Sequence, residues 1–287
     1  MRKVYVVGAG GYIGSAFSAE MRSAGREVVS VGRRAGDGVR LDLAKPDKIA
    51  LSAVDPGSFV LVAAAVSNPD DCERRYRDAY LVNVSGTATV IDVALSRGCD
   101  VAFLSSDAVY ASEPGAVYDE CSPTEPRFAY GKMKKEIEDR FGGRRGFRAL
   151  RLSYVFSAGD KVTSYLLACA REGRRAEVYH PYRRRCIALS DVVGALGRLE
   201  REWECVPGWR LNLAGTELVS RVRMAEELKR LVPSLEYETV SPPEGFYDVR
   251  PETTDMSSRY LYSRGICEAG PFPTKLKKEL KGIEGYD

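Results

Sequence analysis

The chain has a single histidine, His180, among 287 residues, together with three asparagines and no glutamine. A single imidazole gives a Ser-His-Asp hydrolase triad or a Cys/His zinc centre almost nothing to work with. His180 precedes Pro181 and reads as an ordinary loop residue. The seven cysteines (Cys72, Cys99, Cys121, Cys169, Cys186, Cys205 and Cys267) are dispersed, with no C-x-x-C pair. An odd, scattered set argues against both a redox motif and a secreted disulfide framework, and no metal site is expected. The scarcity of amide side chains points in the direction of heat adaptation.

Long apolar runs are also missing, and none approaches the ~18 residues of a membrane helix. The opening Met1-Arg2-Lys3 has the charge of an export signal, but Gly8 to Gly14 break the apolar stretch behind it. The expected location is therefore the cytoplasm, with no membrane partner. Nor is there an excess of either charge: 43 Lys and Arg against 40 Asp and Glu leave a net of +3. That balance gives no broad footprint for nucleic acid. The basic clusters at Arg144-Arg145 and Lys275 to Lys281 read as solvated faces.

What the chain does have is apolar residues, at 44%, enough for a sizeable core in one or two domains. Residues 3–7 form a β-branched run that reads as a buried parallel strand, and a glycine cluster follows directly. A helix is predicted from Tyr12 to about Ala24, closed by Gly25, and then a strand over Val28–Val31. Further strands are predicted at Ser58–Ala65, Asp100–Leu104 and Phe147–Leu152, with helices at about Asp71–Arg97 and Phe128–Phe141. This alternation implies an α/β fold of the Rossmann type, with a doubly wound, mostly parallel sheet. Beyond residue 155 the rhythm loosens, with helices near 162–171, 190–202 and 220–231, a strand near 209–213 and a Pro-rich stretch at 241–251. The expected organisation is a dinucleotide-binding domain over 1–155 and a smaller C-terminal substrate lobe over 156–287, interleaved with it.

Gly8-Ala9-Gly10-Gly11-Tyr12-Ile13-Gly14 lies between the first strand and the first helix, with Gly8, Gly11 and Gly14 in G-x-x-G-x-x-G spacing. Glycines there let a pyrophosphate approach the backbone, while the helix N-terminus supplies donors and a favourable dipole. The second strand ends in Gly32-Arg33-Arg34, where an NAD-selective site carries an acidic residue for the ribose diol. Guanidinium groups instead suit a 2′-phosphate, so Arg33 and Arg34 favour NADP(H) over NAD(H); read otherwise, they are surface arginines. Asp42 and Leu43, after a short strand, are placed to meet the adenine edge.

Tyr130 and Lys134 are spaced i, i+4 on a predicted helix, so they share a face. A phenol is a poor acid or base near neutrality, and a neighbouring ammonium is expected to lower its pKa. Leu104-Ser105-Ser106-Asp107 puts a serine pair at the carboxyl end of a strand, the end at which parallel sheets bind ligands.

The glycine motif, Asn83 in Val82-Asn83-Val84-Ser85-Gly86-Thr87, Ser105 to Tyr110, and Tyr130-Gly131-x-x-Lys134 resemble the extended short-chain dehydrogenases/reductases. Ala63-Ala64-Ala65 followed by Asp71-Cys72-Glu73, Tyr118-Asp119-Glu120 before Pro123 and Pro126, and Arg250-Pro251 most resemble the dTDP-4-dehydrorhamnose reductase family. The resemblance spans nearly the whole chain. It implies that Ser106 polarises a substrate carbonyl, Tyr130 donates the proton, and Lys134 holds the nicotinamide ribose and tunes Tyr130. It also implies that Ala63, Ala64, Ala65 and Asn83 join the cofactor site, and that Asp107, Tyr154, Arg184 and Arg250 meet the substrate. Structural ion pairing is the alternative role for Arg184 and Arg250. Val62 stands where the reductases usually have Asn, and Tyr154 where they have Trp, so the particular sugar is not fixed.

The leading expectation is an NAD(P)H-dependent oxidoreductase acting on a nucleotide-linked 4-keto sugar, with a homodimer allowed. One alternative is a nucleotide-sugar 4-epimerase or dehydratase that keeps NAD bound and returns the hydride. The Arg33-Arg34 end of the second strand and the short 151–184 segment count against it. Another is a non-catalytic regulatory subunit resembling the methionine adenosyltransferase β-subunit, which would have no need of Ser106, Tyr130 and Lys134 together.

Overall fold

The computed structural model of the chain describes residues 2–34, 36, 38–47 and 51–281. It divides into two compact units. The first comprises Met1–Ala111, Pro123–Arg151 and Val193–Leu211, the second Ser112–Ser122, Leu152–Val192 and Asn212–Asp287.

The first unit is built on a sheet of seven strands: β1 (Val4–Val7), β2 (Val28–Gly32), β3 (Val39–Arg40), β4 (Phe59–Val62), β5 (Asp100–Ser106), β6 (Phe147–Leu152) and β7 (Arg210–Leu213). Their spatial order is β7-β6-β5-β4-β1-β2-β3. β1 runs parallel to both β2 and β4, with Val7 opposite Val31 and Val62, and β4 runs parallel to β5. β1 and β4 are buried throughout, as strands covered on both faces must be. The order reverses between β1 and β4, and the carboxyl ends at such a switch point form the ligand-binding crevice of open α/β sheets. Gly8 follows β1 there, and Ala63 follows β4.

Helix α1 (Tyr12–Ser23) returns the chain from β1 to β2. The single long helix expected at 71–97 is broken. It begins earlier, at α2 (Pro69–Arg74), where the Asn68 side chain accepts from the Asp70 amide at 3.1 Å. Arg75 leaves helical geometry at φ −119°, ψ 48°, before α3 (Tyr76–Tyr80). A π-helical turn, Leu81–Gly86, then leads into α4 (Thr87–Ser96). Two packing demands account for the extra residue in that turn. Asn83 is turned inward, and a Cβ on Gly86 would lie 1.8 Å from the Leu43 carbonyl oxygen. Tyr76–Ser96 is long and apolar enough to cross a membrane, yet half of it is buried, with Val84, Ala88, Ile91 and Ala94 in the core of this unit. Helix α5 (Ala129–Phe141) packs on the same core, where Phe141 and Phe103 flank Phe147 at ring-centroid distances of 5.6 and 6.3 Å.

In the second unit, Ala176–Tyr179 pairs in parallel with Tyr237–Val240. Arg183–Arg184 lies between Val219–Ser220 and Thr253–Met256, and the latter pairs with Val117–Tyr118. Helix Lys161–Glu172 is capped by Asp160, which accepts from Val162 and Thr163, and is closed by Gly173 at φ 63°. Helix Arg221–Leu231 is capped by Ser220. The basic run from Lys275 presents Lys277, Lys278 and Lys281 to solvent, as expected, and only Lys275 is drawn inward. The run belongs to a helix, Phe272–Leu280, whose Phe272, Leu276 and Leu280 recur every four residues and are buried, while Lys275 pairs with Asp191 at 2.9 Å.

Candidate active site

The glycine turn is laced to the sheet by its backbone. Gly11 N donates to Gly8 O at 2.9 Å, and the amides of Ala63 and Ala64 both donate to Val7 O, at 2.9 and 3.0 Å. Gly8 has φ +91°, and a Cβ there would lie 2.7 Å from Ala64 N. A Cβ on Gly14 would come within 2.2 Å of Gly8 O. These two glycines are required by the turn itself. Gly10 is different: a Cβ there meets nothing within 4 Å. Gly10, Gly11 and Tyr12 are exposed at the start of α1, Ile13 is half-buried, and the bare backbone fits a pyrophosphate at this cradle.

Arg33 and Arg34 stand exposed after β2. Asp42 accepts from the Ala44 amide at 3.0 Å, while Leu43 is buried and lies against Gly86. Asn83 is buried, and its amide grips the chain just past Ala65. Its Oδ1 accepts from Val66 N at 2.8 Å, and its Nδ2 donates to Val66 O at 2.9 Å. Both of these hydrogen-bonding capacities are spent on backbone, so Asn83 fixes the Ala63–Ala65 loop.

Ser106, Asp107, Tyr130 and Lys134 are brought together by β5 and α5. Lys134 is buried, and its Nζ donates to Leu104 O at 2.7 Å. The same nitrogen lies 4.6 Å from the Phe103 ring centroid and 5.6 Å from that of Tyr130. Ser106 Oγ donates to Asp107 Oδ1 at 3.1 Å and accepts from Ala108 N at 3.2 Å. Close docking of α5 depends on Gly131, where a Cβ would lie 2.1 Å from Ala108 O.

Electrostatics here depart from the sequence expectation. Burial pushes the Tyr130 phenol above its ordinary value, with Cys72 and Asp107 adding to the rise. Removal from water decides the direction, and the neighbouring Lys134 does not reverse it. Burial in turn lowers Lys134 to about 8, against the opposing pull of Cys72 and Glu138. Near neutrality the phenol therefore keeps its proton, and the amine is mostly ammonium.

Sequence reasoning missed a buried network beneath this pair. Glu138 accepts from Ser105 Oγ at 2.6 Å and from Arg151 Nε at 3.0 and 3.1 Å, and Arg151 Nη1 donates to Tyr110 Oη at 2.8 Å. Its signal was the i+4 spacing of Glu138 from Lys134.

Tyr154, Arg184 and Arg250 fall in the second unit, in a cluster of arginines and aromatic rings. The Tyr154 hydroxyl donates to Asp160, and the Arg221 guanidinium lies 3.9 Å from the Tyr154 ring and 5.0 Å from that of Tyr182. Arg184 lies 4.4 Å from the Tyr182 ring, and Arg250 4.2 Å from Phe246. Arg184 donates to the carbonyls of Arg183, Pro251 and Glu252 at 2.6, 2.8 and 3.1 Å. Arg250 donates to Phe246 O at 2.8 Å. Arg221 gave no signal in the sequence.

The reversed strand order and the glycine turn at the switch point are those of the extended short-chain dehydrogenases/reductases. Within that class the chain belongs to the RmlD substrate binding domain family, whose model matches residues 1–282. It is 28% identical over 141 residues to a dTDP-4-dehydrorhamnose reductase of Aggregatibacter actinomycetemcomitans, covering 48% of this chain and 46% of that one. The matched stretch spans about half the length of the curated relatives. The fold is similar to that of the Bacillus anthracis dTDP-4-dehydrorhamnose reductase in complex with NADP (TM-score 0.82, 16% identity, 98% of each chain). It is also similar to that of MoeE5 in complex with UDP-glucose and NAD (TM-score 0.78, 24% identity, 97% of each chain).

Proposed function

We propose that the chain is an NAD(P)H-dependent reductase of a nucleotide-linked 4-keto sugar, with Ser106, Tyr130 and Lys134 as its working residues. One observation carries this reading. Tyr130 and Lys134 share a face of α5, and Lys134 is anchored at 2.7 Å on the Leu104 carbonyl, two residues before Ser106. Family membership and the reductase relative support it.

When bound, the reduced nicotinamide supplies the hydride that turns the ketone into an alcohol. With substrate in place, the Ser106 hydroxyl turns from Asp107 to donate to the carbonyl oxygen and polarise it. Tyr130 gives its proton to that oxygen, a role suited to a phenol that burial keeps protonated. Lys134, as an ammonium, stabilises the phenolate left behind and holds the ribose hydroxyls. The glycine turn receives the pyrophosphate, Ala63–Ala65 line its approach under the grip of Asn83, and Arg33 and Arg34 pair with a 2′-phosphate, which makes NADP(H) the preferred cofactor.

The second unit serves as the substrate lobe. Its cluster of Tyr154, Arg221 and Arg250 suits a nucleotide diphosphate, while Arg184 shapes that cluster through its backbone bonds. A cytoplasmic location and a homodimer accord with this reading.

Purified protein should be largely free of cofactor and should oxidise NADPH in proportion to the 4-keto sugar reduced. Near-stoichiometric NAD released on denaturation, with no NADPH turnover, would replace this reading with an epimerase.

A further inference from the structure

Glu138 follows Tyr130 by two helical turns and Lys134 by one, so the three side chains project from one face of α5. It is 1% exposed, as is Arg151, its partner from β6. Buried charges need both pairing and hydrogen bonds, and Glu138 has both. Arg151 grips its two oxygens, Ser105 binds Oε1, and Tyr110 occupies another donor of Arg151.

The anchoring points are consecutive residues of one strand end. Leu104 receives Lys134 through its carbonyl oxygen, and Ser105 binds Glu138 through its hydroxyl. Side chains alternate along a strand, so Ser106 points to the face opposite Ser105. The two serines thus divide the work, Ser105 to the clamp and Ser106 to the site.

An apolar pair of similar volume would join β6 to α5 as firmly as an ion pair does. What an apolar pair could not supply is negative charge beside a buried amine. The groups facing Lys134 are Cys72 from α2, the Phe103 ring and Leu104 carbonyl from β5, and Tyr130 and Glu138 from its own helix, with Asp107 facing Tyr130. Cys72 is the larger of the influences that favour the ammonium against the pull of burial, and Glu138, the carboxylate among these groups, adds to it.

We propose that Glu138, clamped by Arg151 and Ser105, is a positioning residue of the active site. It seats the Tyr130–Lys134 face of α5 on the end of β5 and keeps the buried Lys134 amine charged. This deepens the reading of Tyr130 and Lys134 as the working pair and rests on it.

The test is an NMR titration of the lysine side chains in the cofactor-free, full-length chain labelled with 15N-lysine, with Lys134 assigned by its loss in Lys134→Met. Glu138→Gln should lower the Lys134 midpoint from about 8 by about one pH unit, the size of effect a neighbouring opposite charge exerts. Glu138→Asp, which keeps the charge, should stay near wild type. Glu136→Gln, on the exposed side of the same helix, should not move it. If Glu138→Gln does not fold, Glu138→Leu/Arg151→Met removes both charges without leaving one orphaned and should lower the midpoint as well. An unchanged midpoint in the folded Glu138 variants would overturn the proposal. In turnover with NADPH and a nucleotide-linked 4-keto sugar, Glu138→Gln should lower kcat about twofold at pH 7 and about fivefold at pH 8, as the charged share of Lys134 falls with its midpoint. The titration needs no substrate, so a wild-type chain that reduces no such sugar counts against the reductase reading, while the midpoint still decides the role of Glu138.

Discussion

The Lys134 ammonium nitrogen lies 2.7 Å from the Leu104 carbonyl oxygen, tying the helix that carries Tyr130 to the strand that ends in Ser106. The same burial that seats this bond sets opposite tendencies in the two titrating groups. It raises the phenol and lowers the amine to about 8. Acid and cation are therefore both present near neutrality, and the cation is lost first as pH rises.

Cofactor affinity should follow that loss. Ligand binding that uses the ammonium should weaken as pH rises through about 8, and Lys134→Met should bind weakly with a flat profile. Fluorescence titrations of NADPH between pH 6 and pH 9.5 measure it, and a flat wild-type profile would contradict the assignment. Stability has the opposite trend. The folded value lies below the ordinary 10.5 of an unfolded lysine, so the unfolded chain holds the extra proton over that window. This group's contribution therefore makes the cofactor-free chain more stable as pH climbs from about 8 toward 10.5.

Arg33 and Arg34 are exposed at the end of β2. Replacing both with neutral residues should leave folding intact and weaken NADPH far more than NADH, since charge-assisted hydrogen bonds are worth ~1.5–3 kcal/mol each. Equal wild-type affinity for the two cofactors would sink the 2′-phosphate reading.

The glycine turn offers a pair of substitutions with opposite signatures. Gly14→Ala would press a methyl group to 2.2 Å from a backbone oxygen, so the chain should lose ~1–3 kcal/mol of stability. Gly10→Ala meets nothing within 4 Å. Its melting temperature should stay near wild type, while dinucleotide affinity falls because the added methyl occupies the cradle. A Gly10→Ala protein that binds cofactor normally would move the pyrophosphate elsewhere.

Asn83→Ala removes both bonds to Val66 and leaves a backbone donor and acceptor to find other partners. The cost should be ~1–3 kcal/mol in denaturant unfolding, with weaker cofactor binding as the Ala63–Ala65 loop loosens. Weaker binding at unchanged stability would instead point to direct contact between Asn83 and the cofactor.

Much of this was legible in the sequence because period and punctuation coincide in the first half. Apolar β-branched runs stop at glycines, and the helices behind them carry clear ends, as at Gly25 after α1. Tyr130 and Lys134 stood out through their i, i+4 spacing taken together with the serine pair at the end of a strand, since the spacing alone is common by chance. Nothing in the sequence marked the break at Arg75, and the π-helical turn was hidden because it answers to packing at Leu43 and Val66, far away in the chain. The Glu138–Arg151 pair was hidden for the same reason. Its members are charged residues that a sequence places on the surface, and only the docking of α5 on β6 buries them. The helix at Phe272–Leu280 was obscured by its lysines, although Phe272, Leu276 and Leu280 carried the period.

In the proposed reaction Tyr130 delivers the proton as the substrate carbonyl is reduced. Tyr130→Phe keeps the ring and removes the hydroxyl, so the single-turnover rate of NADPH oxidation with a nucleotide-linked 4-keto sugar isolates the role. The rate should fall by ~10²–10⁴ while the NADPH dissociation constant barely changes. A Tyr130→Phe protein that turns over at a near-normal rate would contradict this, because the proton would then come from another group.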